Sequence, residues 1–546
     1  STEGSTDKPT TLSIRAGDGI TFTGANLSNA TGSTVLQSDG DIALNAIDTG
    51  YQTDSIGDSN NYFKSGETRQ VGSDLSSQGN LILQGENVTG VDTKLNSETG
   101  TLFIDAKQDI EFTEGRYTEN LSTASKVTTS GLLSSKTQLN RYDMESDQAI
   151  KSQLEGDQVV LRSGRDTNLT GTDVAAQGDI YIDAKRDVNI SAAQNQYSQS
   201  SESMTKRSGL MSTDGFGFAI GKQRIDNNQA QTATTHTASL VGAFDGNVII
   251  QAGRNYTQTG SDVLANTGLD FSPTGTDDIS MLVTDDPTRG NVYIKAQDID
   301  VLNTLDVYTN QTEQRFKQSG LSVSVSNTAV DSLQSIESLG DAAGSADSAR
   351  ISAMAGVAAA LKAKRTMQDI ATGGTTRVEA TIGTSQSKST SSSYQEVSQG
   401  SGILGANVGL VATGAGEDSN ILLQGSNVTA VGDASFTADN DFILNGVSQR
   451  ESSRTDNKSS GFGVGVFAQG STEGGNIGVT ANANIAKGHS DGDSTTYANS
   501  TVNAGTTTFN IGGDVIGRGA RIETGKAQGV IGGDVLFESM QDTATY

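Results

Sequence analysis

The stretch GTDVAAQGDIYIDAKRDVNISAAQ, Gly171 to Gln194, holds two short alternating strands, each opened by a small residue and an aspartate. The same phrase recurs at Gly40-Asp41-Ile42-x-Leu44, Gly79-Asn80-Leu81-x-Leu83, Gly100-Thr101-Leu102-x-Ile104, Gly156-Asp157-x-Val159-x-Leu161 and Gly178-Asp179-Ile180-x-Ile182. Three more copies stand at Gly246-Asn247-Val248-x-Ile250, Gly290-Asn291-Val292-x-Ile294 and Gly533-Asp534-Val535-x-Phe537. Period-two alternation puts each aliphatic pair on one side of a strand. Glycine is expected to supply a positive φ at the corner, and Asp or Asn a side-chain bond to the backbone. A second half follows at Asp109-Ile110-x-Phe112, Asp166-x-x-Leu169, Asp187-Val188-x-Ile190 and Asp298-Ile299-x-Val301.

Gly79 precedes Gly100 by 21 residues and Gly156 precedes Gly178 by 22, a solenoid period. One unit is then one coil of an all-β, right-handed parallel β-helix, whose backbone groups are satisfied by the coils above and below. The pattern divides the chain into coils over 1–193, 246–304, 401–446 and 501–546, with an irregular insertion near 114–155. Between the coils lie a Ser-rich hairpin excursion at 194–245, a second excursion at 305–400 and another hairpin excursion at 447–500. In the middle one, Ile351, Met354, Val357, Ala358 and Leu361 recur at helical spacing, so a short helical pair is expected between two strands.

Composition supports small-residue corners over large globular cores. The 546 residues include 65 glycines, 3 prolines, no tryptophan and 5% aromatics. Disordered chains lack such regular aliphatic spacing and carry more proline. The net charge of −27 repels nucleic acid, so no nucleic-acid partner is expected. The absence of cysteine suits a bacterial exported protein, and no apolar run reaches the roughly 20 residues of a spanning helix.

Chemical sites find little support. His236 and His489, the only histidines, read as solvated loop residues, and no catalytic site, cofactor or metal is expected. Most recurrent aspartates fall at corners, which explains them without acid–base chemistry. IGGDVIG and IGGDVLF lack the tandem nine-residue period of calcium-binding repeats, and GAGEDSN lacks the Gly-Lys-Ser/Thr of a phosphate loop. The candidates for contact with a partner or membrane are Phe216, Phe218 and Ile220 in GFGFAIGKQ, and Phe462, Val464, Val466 and Phe467 in GFGVGVFAQG. Packing on the solenoid's flank is the default for them; an apolar edge offered to a membrane or partner is the alternative.

The GDI/GNV phrase, the DVNI half, the closing SAAQ, the Ser-rich run into SGFGVGV and the stretch from ANIAKGHSDGDSTTYANSTVNAGTTT to GGDVLFESMQDTATY resemble the haemagglutinin-repeat region of two-partner-secretion exoproteins. Among these the sequence is most similar to the filamentous-haemagglutinin repeats of contact-dependent growth inhibition effectors (CdiA type), from about Leu12 to Tyr546. The usual Ala-Gly after the first strand stands at Ala252-Gly253 but is Ala106-Lys107, Ala184-Lys185 and Ala296-Gln297 elsewhere, so some corners should differ. The resemblance implies a secreted, cell-surface stalk or adhesin, exported by an outer-membrane partner transporter and read as a monomer. In the growth-inhibition branch it also implies association with the target cell's outer membrane during toxin delivery. The alternative is a passive adhesin shaft that binds cells or surface polysaccharide. The assigned inward side is testable: Ile182→Asp should unfold at markedly lower denaturant, because an unpaired charge is costly in an apolar interior; an unchanged unfolding midpoint would reverse the assignment.

Overall fold

In the computed structural model the aliphatic pairs of successive repeats lie in parallel strands, directly above one another. The structure describes residues 10–131, 134–213, 217–265, 290–327, 376–471 and 474–545. One coil consists of strands Thr172–Ala176, Ile180–Ala184 and Val188–Ser191, which belong to a first, second and third face. The first and second faces together form a 21-stranded sheet, and the third face is a 12-stranded sheet. Successive third-face strands pair Val88 with Ile110 and Thr167 with Val188, offsets of 22 and 21 residues.

Parallel register turns the repeated aliphatics into columns. On the second face Leu36, Leu83, Ile104, Leu161, Ile182, Ile250, Ile294, Leu410 and Phe436 are successive partners. None is more than 1% exposed. Bulk is matched between neighbours: Gly90 lies beside Phe112, and a Cβ there would come within 2.6 Å of the ring. Thr167, Tyr256 and Gln258 bring polar groups into the third face; the last two pair with each other. All three are fully buried, and the Tyr256 hydroxyl donates to Gln258 Oε1 at 2.9 Å.

The repeated Gly-Asp phrase proves to serve two different corners. Asn80, Asp157, Asp179 and Asn247 stand before second-face strands and Asn291 opens one, whereas Asp41 and Asp534 stand at third-face strands, with Asp109, Asp166 and Asp187. At both corners the side chain accepts a hydrogen bond from a backbone N–H one coil on. Asp41 Oδ1 takes Asn87 N–H at 3.1 Å, Asp109 takes Asp166 at 3.1 Å, Asp187 takes Asn255 at 3.1 Å, and Asp514 takes Asp534 at 2.7 Å. At the other corner Asn80 takes Thr101 at 2.9 Å, Asp179 takes Asn247 at 2.8 Å, and Asn247 takes Asn291 at 3.0 Å. Arg165, Arg186 and Arg254 reach back to Asp109, Asp166 and Asp187 with Nε–Oδ1 distances of 2.7, 2.6 and 2.8 Å.

The expected role of the corner glycines needs correcting. Of Gly40, Gly79, Gly156, Gly178, Gly246, Gly290 and Gly533, only Gly290 has a positive φ, 81°. Close approach explains several of the others: a Cβ on Gly40 would lie 1.8 Å from Asp18 O, and one on Gly246 2.2 Å from Gly178 C. Six left-handed residues occupy the third corner instead, where Gly24, Asp92, Gly171, Gly260, Gly425 and Gly519 have φ of 50–59°.

Those left-handed corners mark only alternate coils. In the intervening coils the same corner opens into a long antiparallel hairpin, with arms 47–58/61–71, 115–130/134–150, 193–213/217–237, 304–327/376–399 and 447–471/474–498. Strands within a sheet lie about 4.8 Å apart, so two coils rise by about as much as the two arms of one hairpin occupy. Neighbouring hairpins therefore meet edge to edge, and with Thr543–Thr545 they form one 11-stranded antiparallel sheet in chain order. The segment near 114–155, expected to be irregular, is one of these hairpins. The hairpin at 47–71 was not anticipated at all. The helical pair expected around 351–361 lies outside the described residues.

A buried serine closes the root of each of the last four hairpins. Ser152, Ser239, Ser401 and Ser500 each donate from Oγ, at 2.7 Å, to the carbonyl that ends the strand before the hairpin: Thr113, Ser191, Leu302 and Asn445. All four are fully buried, and Oγ also accepts a backbone N–H from the coil below, as Ser239 does from Thr172 at 2.9 Å. Replacing Ser239 by Ala should cost about 1–3 kcal/mol locally. Hydrogen exchange at Thr172 should accelerate in that variant and stay unchanged in Ser201→Ala, which alters only a hairpin arm; equal protection at Thr172 in all three proteins would remove the clamp role.

Candidate interaction surface

Of the residues singled out for contact, Phe216 lies outside the described residues. Phe218 and Ile220 lie on the arm Gly217–Thr237, and Phe462, Val464, Val466 and Phe467 on the arm Val447–Ser471. These arms are not adjacent: the hairpin 304–399 stands between them. Backbone register nevertheless joins them, because Ile220 pairs with Leu321, Leu321 with Ile382, and Ile382 with Val464. Leu210 and Ala481 extend this row on its two sides. Two residues further out, Val323, Ala380, Val466 and Val479 form a parallel row. Phe467 pairs with Glu379 and Gly478 at the opposite parity.

The default expectation of packing on the solenoid fails at Phe462, which is 72% exposed. Ile485, which the sequence reading missed, is 81% exposed on the neighbouring arm. Between the polar and apolar lengths of the arms runs a line of glycines in register: Gly209, Gly221, Gly320, Gly383 and Gly463. Gly209, Gly221 and Gly383 have φ of 90°, 150° and 151°, values at which side chains are disfavoured. Apolar residues spaced by two in longer strands were readable one strand at a time. Their alignment across strands depends on the matched coil rise, which no single strand encodes.

Titratable groups cluster at the roots of the sheet. His236 is not a solvated loop residue: its side chain is half-buried on a strand, with Nδ1 3.0 Å from Asp306 Oδ1. His489 is well exposed beside Asp491. Asp92, at the tight corner between the first two hairpins, accepts Gly72 N–H on Oδ2 at 2.9 Å; burial pushes its carboxyl up to about 6. Burial, helped by the charge of Asp298, likewise raises Asp300 to about 6. Asp173 is buried and also raised, although Lys151 Nζ stands 2.8 Å away. Among the described residues no three His, Asp or Glu side chains are grouped to hold a metal ion.

With this geometry in view, the comparisons with known proteins agree on its kinship. A family model for the hemagglutinin repeat matches residues 133–272 and 382–546. The chain belongs to the hemagglutinin-repeat family. This hemagglutinin-repeat chain is 32% identical over 465 residues to tRNA nuclease CdiA of Escherichia coli strain STEC_O31, covering 82% of the chain and 13% of that protein. It is 32% identical over 491 residues to tRNA nuclease CdiA of Yersinia mollaretii, with coverage of 86% and 15%. Against deoxyribonuclease CdiA of Yersinia pseudotuberculosis it is 31% identical over 397 residues, with coverage of 70% and 34%. The chain thus spans 12–13% of the length of the Escherichia coli relatives first matched. No solved structure matches it. It is a filament region of the CdiA type, a secreted cell-surface class.

Asp92 gives this surface's root a pH dependence of known sign. Its folded pKa exceeds the unfolded value of 3.8, so stability is lost as pH rises from about 4 to about 6 and the penalty is complete above that. Asparagine keeps an acceptor for Gly72 N–H and tolerates φ of 50°. Asp92→Asn should therefore be more stable than the parent at pH 7, by at most about 3 kcal/mol, and equal to it near pH 4. Denaturant titrations at pH 4, 5 and 7 check this; a constant difference across that range would contradict it.

Proposed function

We propose that this region is the shaft of a contact-dependent growth inhibition effector and that its antiparallel sheet associates with the target cell's outer membrane during toxin delivery. The solenoid converts chain length into reach at about 4.8 Å per coil. The observation that carries the membrane reading is a pair of apolar cross-strand rows at the outer part of the longest hairpins, one running across the last three and the other across the last two. A polar sheet held only for stiffness has no need of Ile220, Leu321, Ile382 and Val464 in one line far from the solenoid core. Alternation of period two over lengths of about 9–11 residues is how strands present one apolar side to lipid.

Export would use an outer-membrane partner transporter, as the family resemblance implies, and the chain would act as a monomer. We assign no catalytic step to this region. The nuclease names of the relatives belong to those much longer proteins, whereas the recurrent aspartates here are committed to backbone N–H groups at the corners. The rival reading, a passive adhesin shaft, predicts no affinity for lipid.

Flotation with outer-membrane vesicles during and after refolding separates the two. The parent chain should rise with the vesicles, and the triple variant Ile220→Asp, Leu321→Asp, Val464→Asp should remain below while keeping its β-rich circular dichroism. If the parent never floats, or the folded triple variant floats equally well, membrane association through these rows is wrong.

A further inference from the structure

Inward of the apolar rows the same hairpins carry an arrangement that the fold alone does not require. Lys206 pairs with Arg224, and Arg224 with Lys317. Two residues nearer the solenoid, Arg315 pairs with Lys388, Lys388 with Lys458, and Lys458 with Lys487. Like charges directly opposite each other on neighbouring strands are destabilising. Closer to the solenoid several pairings are complementary, Lys64 with Asp54, Arg141 with Glu202 and Arg454 with Asp491, and the one like-charge pair is acidic, Glu67 with Glu119. A chain with 64 acidic and 37 basic residues had ample carboxylates to alternate here as well.

Some of the repulsion is relieved internally. Arg224 is 2.8 Å from Asp226, and Glu313 holds both Arg315, at 2.5 Å, and Lys388, at 2.8 Å. Lys206, Lys222, Lys317, Lys458 and Lys487 are exposed and have no ion-pair partner among the described residues. The two rows lie about 7 Å apart along the strands, and six neighbouring arms spread them over roughly 24 Å.

A groove of about 900 Å³ crosses these arms, and Lys206, Lys222, Arg224 and Lys317 line it together with the exposed Phe462 and Ile485. Cations beside exposed apolar side chains match an amphiphile that carries anionic groups at the base of its hydrocarbon. We infer that this band binds the phosphate groups of a glycolipid headgroup at an anionic membrane surface. The inference rests on the membrane association proposed above and specifies its headgroup chemistry. The net charge of −27 does not oppose it at contact range, because at physiological salt charges more than about 8 Å away are largely screened.

The test uses the full chain and three vesicle types: phosphatidylcholine alone, phosphatidylcholine with about a tenth of a diphosphorylated glucosamine-disaccharide lipid, and the same lipid without its phosphates. Inorganic pyrophosphate serves as a soluble competitor. Binding should be strongest to the phosphorylated vesicles and should fall with salt. Lys222→Gln, Lys317→Gln, Lys458→Gln together should reduce that gain on the order of a hundredfold, given about one surface-attracted charge per substitution, and should leave binding to neutral vesicles unchanged. Pyrophosphate at equal phosphate concentration should compete poorly; efficient competition would assign the band to free phosphate instead. If the parent binds all three vesicles equally, the band inference falls and the membrane reading stands. If only phosphorylated vesicles bind and the triple variant loses them, the band stands and insertion by the apolar rows fails. If no vesicle binds, both are lost.

Discussion

Everything in this molecule depends on side chains of successive coils lying directly over one another in parallel register. An aliphatic column such as Leu161, Ile182, Ile250 and Ile294 excludes water only while each strand repeats the parity of the one below. A slip of one residue would turn a whole strand's apolar set outward. The corner side chains guard against that slip, because Asp109, Asp187 and Asp179 each accept one particular backbone N–H of the coil above. These side chains thus act as register pins, and Arg165, Arg186 and Arg254, bound to Asp109, Asp166 and Asp187, keep that negative column from repelling itself.

The second structure, the antiparallel sheet, inherits its order from the first. Each hairpin leaves from the same corner, the last four are closed by a buried serine, and all meet their neighbours because two coils and two strands occupy about the same rise. The arms lengthen along the chain, from 12 and 11 residues in the first hairpin to 25 and 25 in the fifth. Only the last three reach far enough to bring their apolar segments into common rows.

The coils were legible in the sequence because interior strands see water on one side and a core on the other, and this asymmetry writes itself as alternation. Tyr181 between Ile180 and Ile182 is such a signature. The hairpin 47–71 was invisible for the converse reason: its first arm is exposed at every position, so nothing selects a pattern. The two corners were merged because Gly-Asp performs the same backbone chemistry at both. Positive φ was expected where glycine is conspicuous, whereas the structure puts it at a third corner, where Asp92 takes the place that glycine fills in five other coils. The cation rows were unreadable for a different reason: Arg224, Lys317 and Lys458 are distant in sequence and ordinary one at a time.

The alternation of tight and open corners also restricts how such a filament can change its length over evolution. Deleting one coil would bring two tight turns, or two hairpins, into immediate succession and throw the outer sheet out of step with the spiral that carries it. The smallest neutral edit is then a pair of coils with its hairpin, an increment of roughly 10 Å, so lineages with longer or shorter shafts should differ by whole multiples of that module.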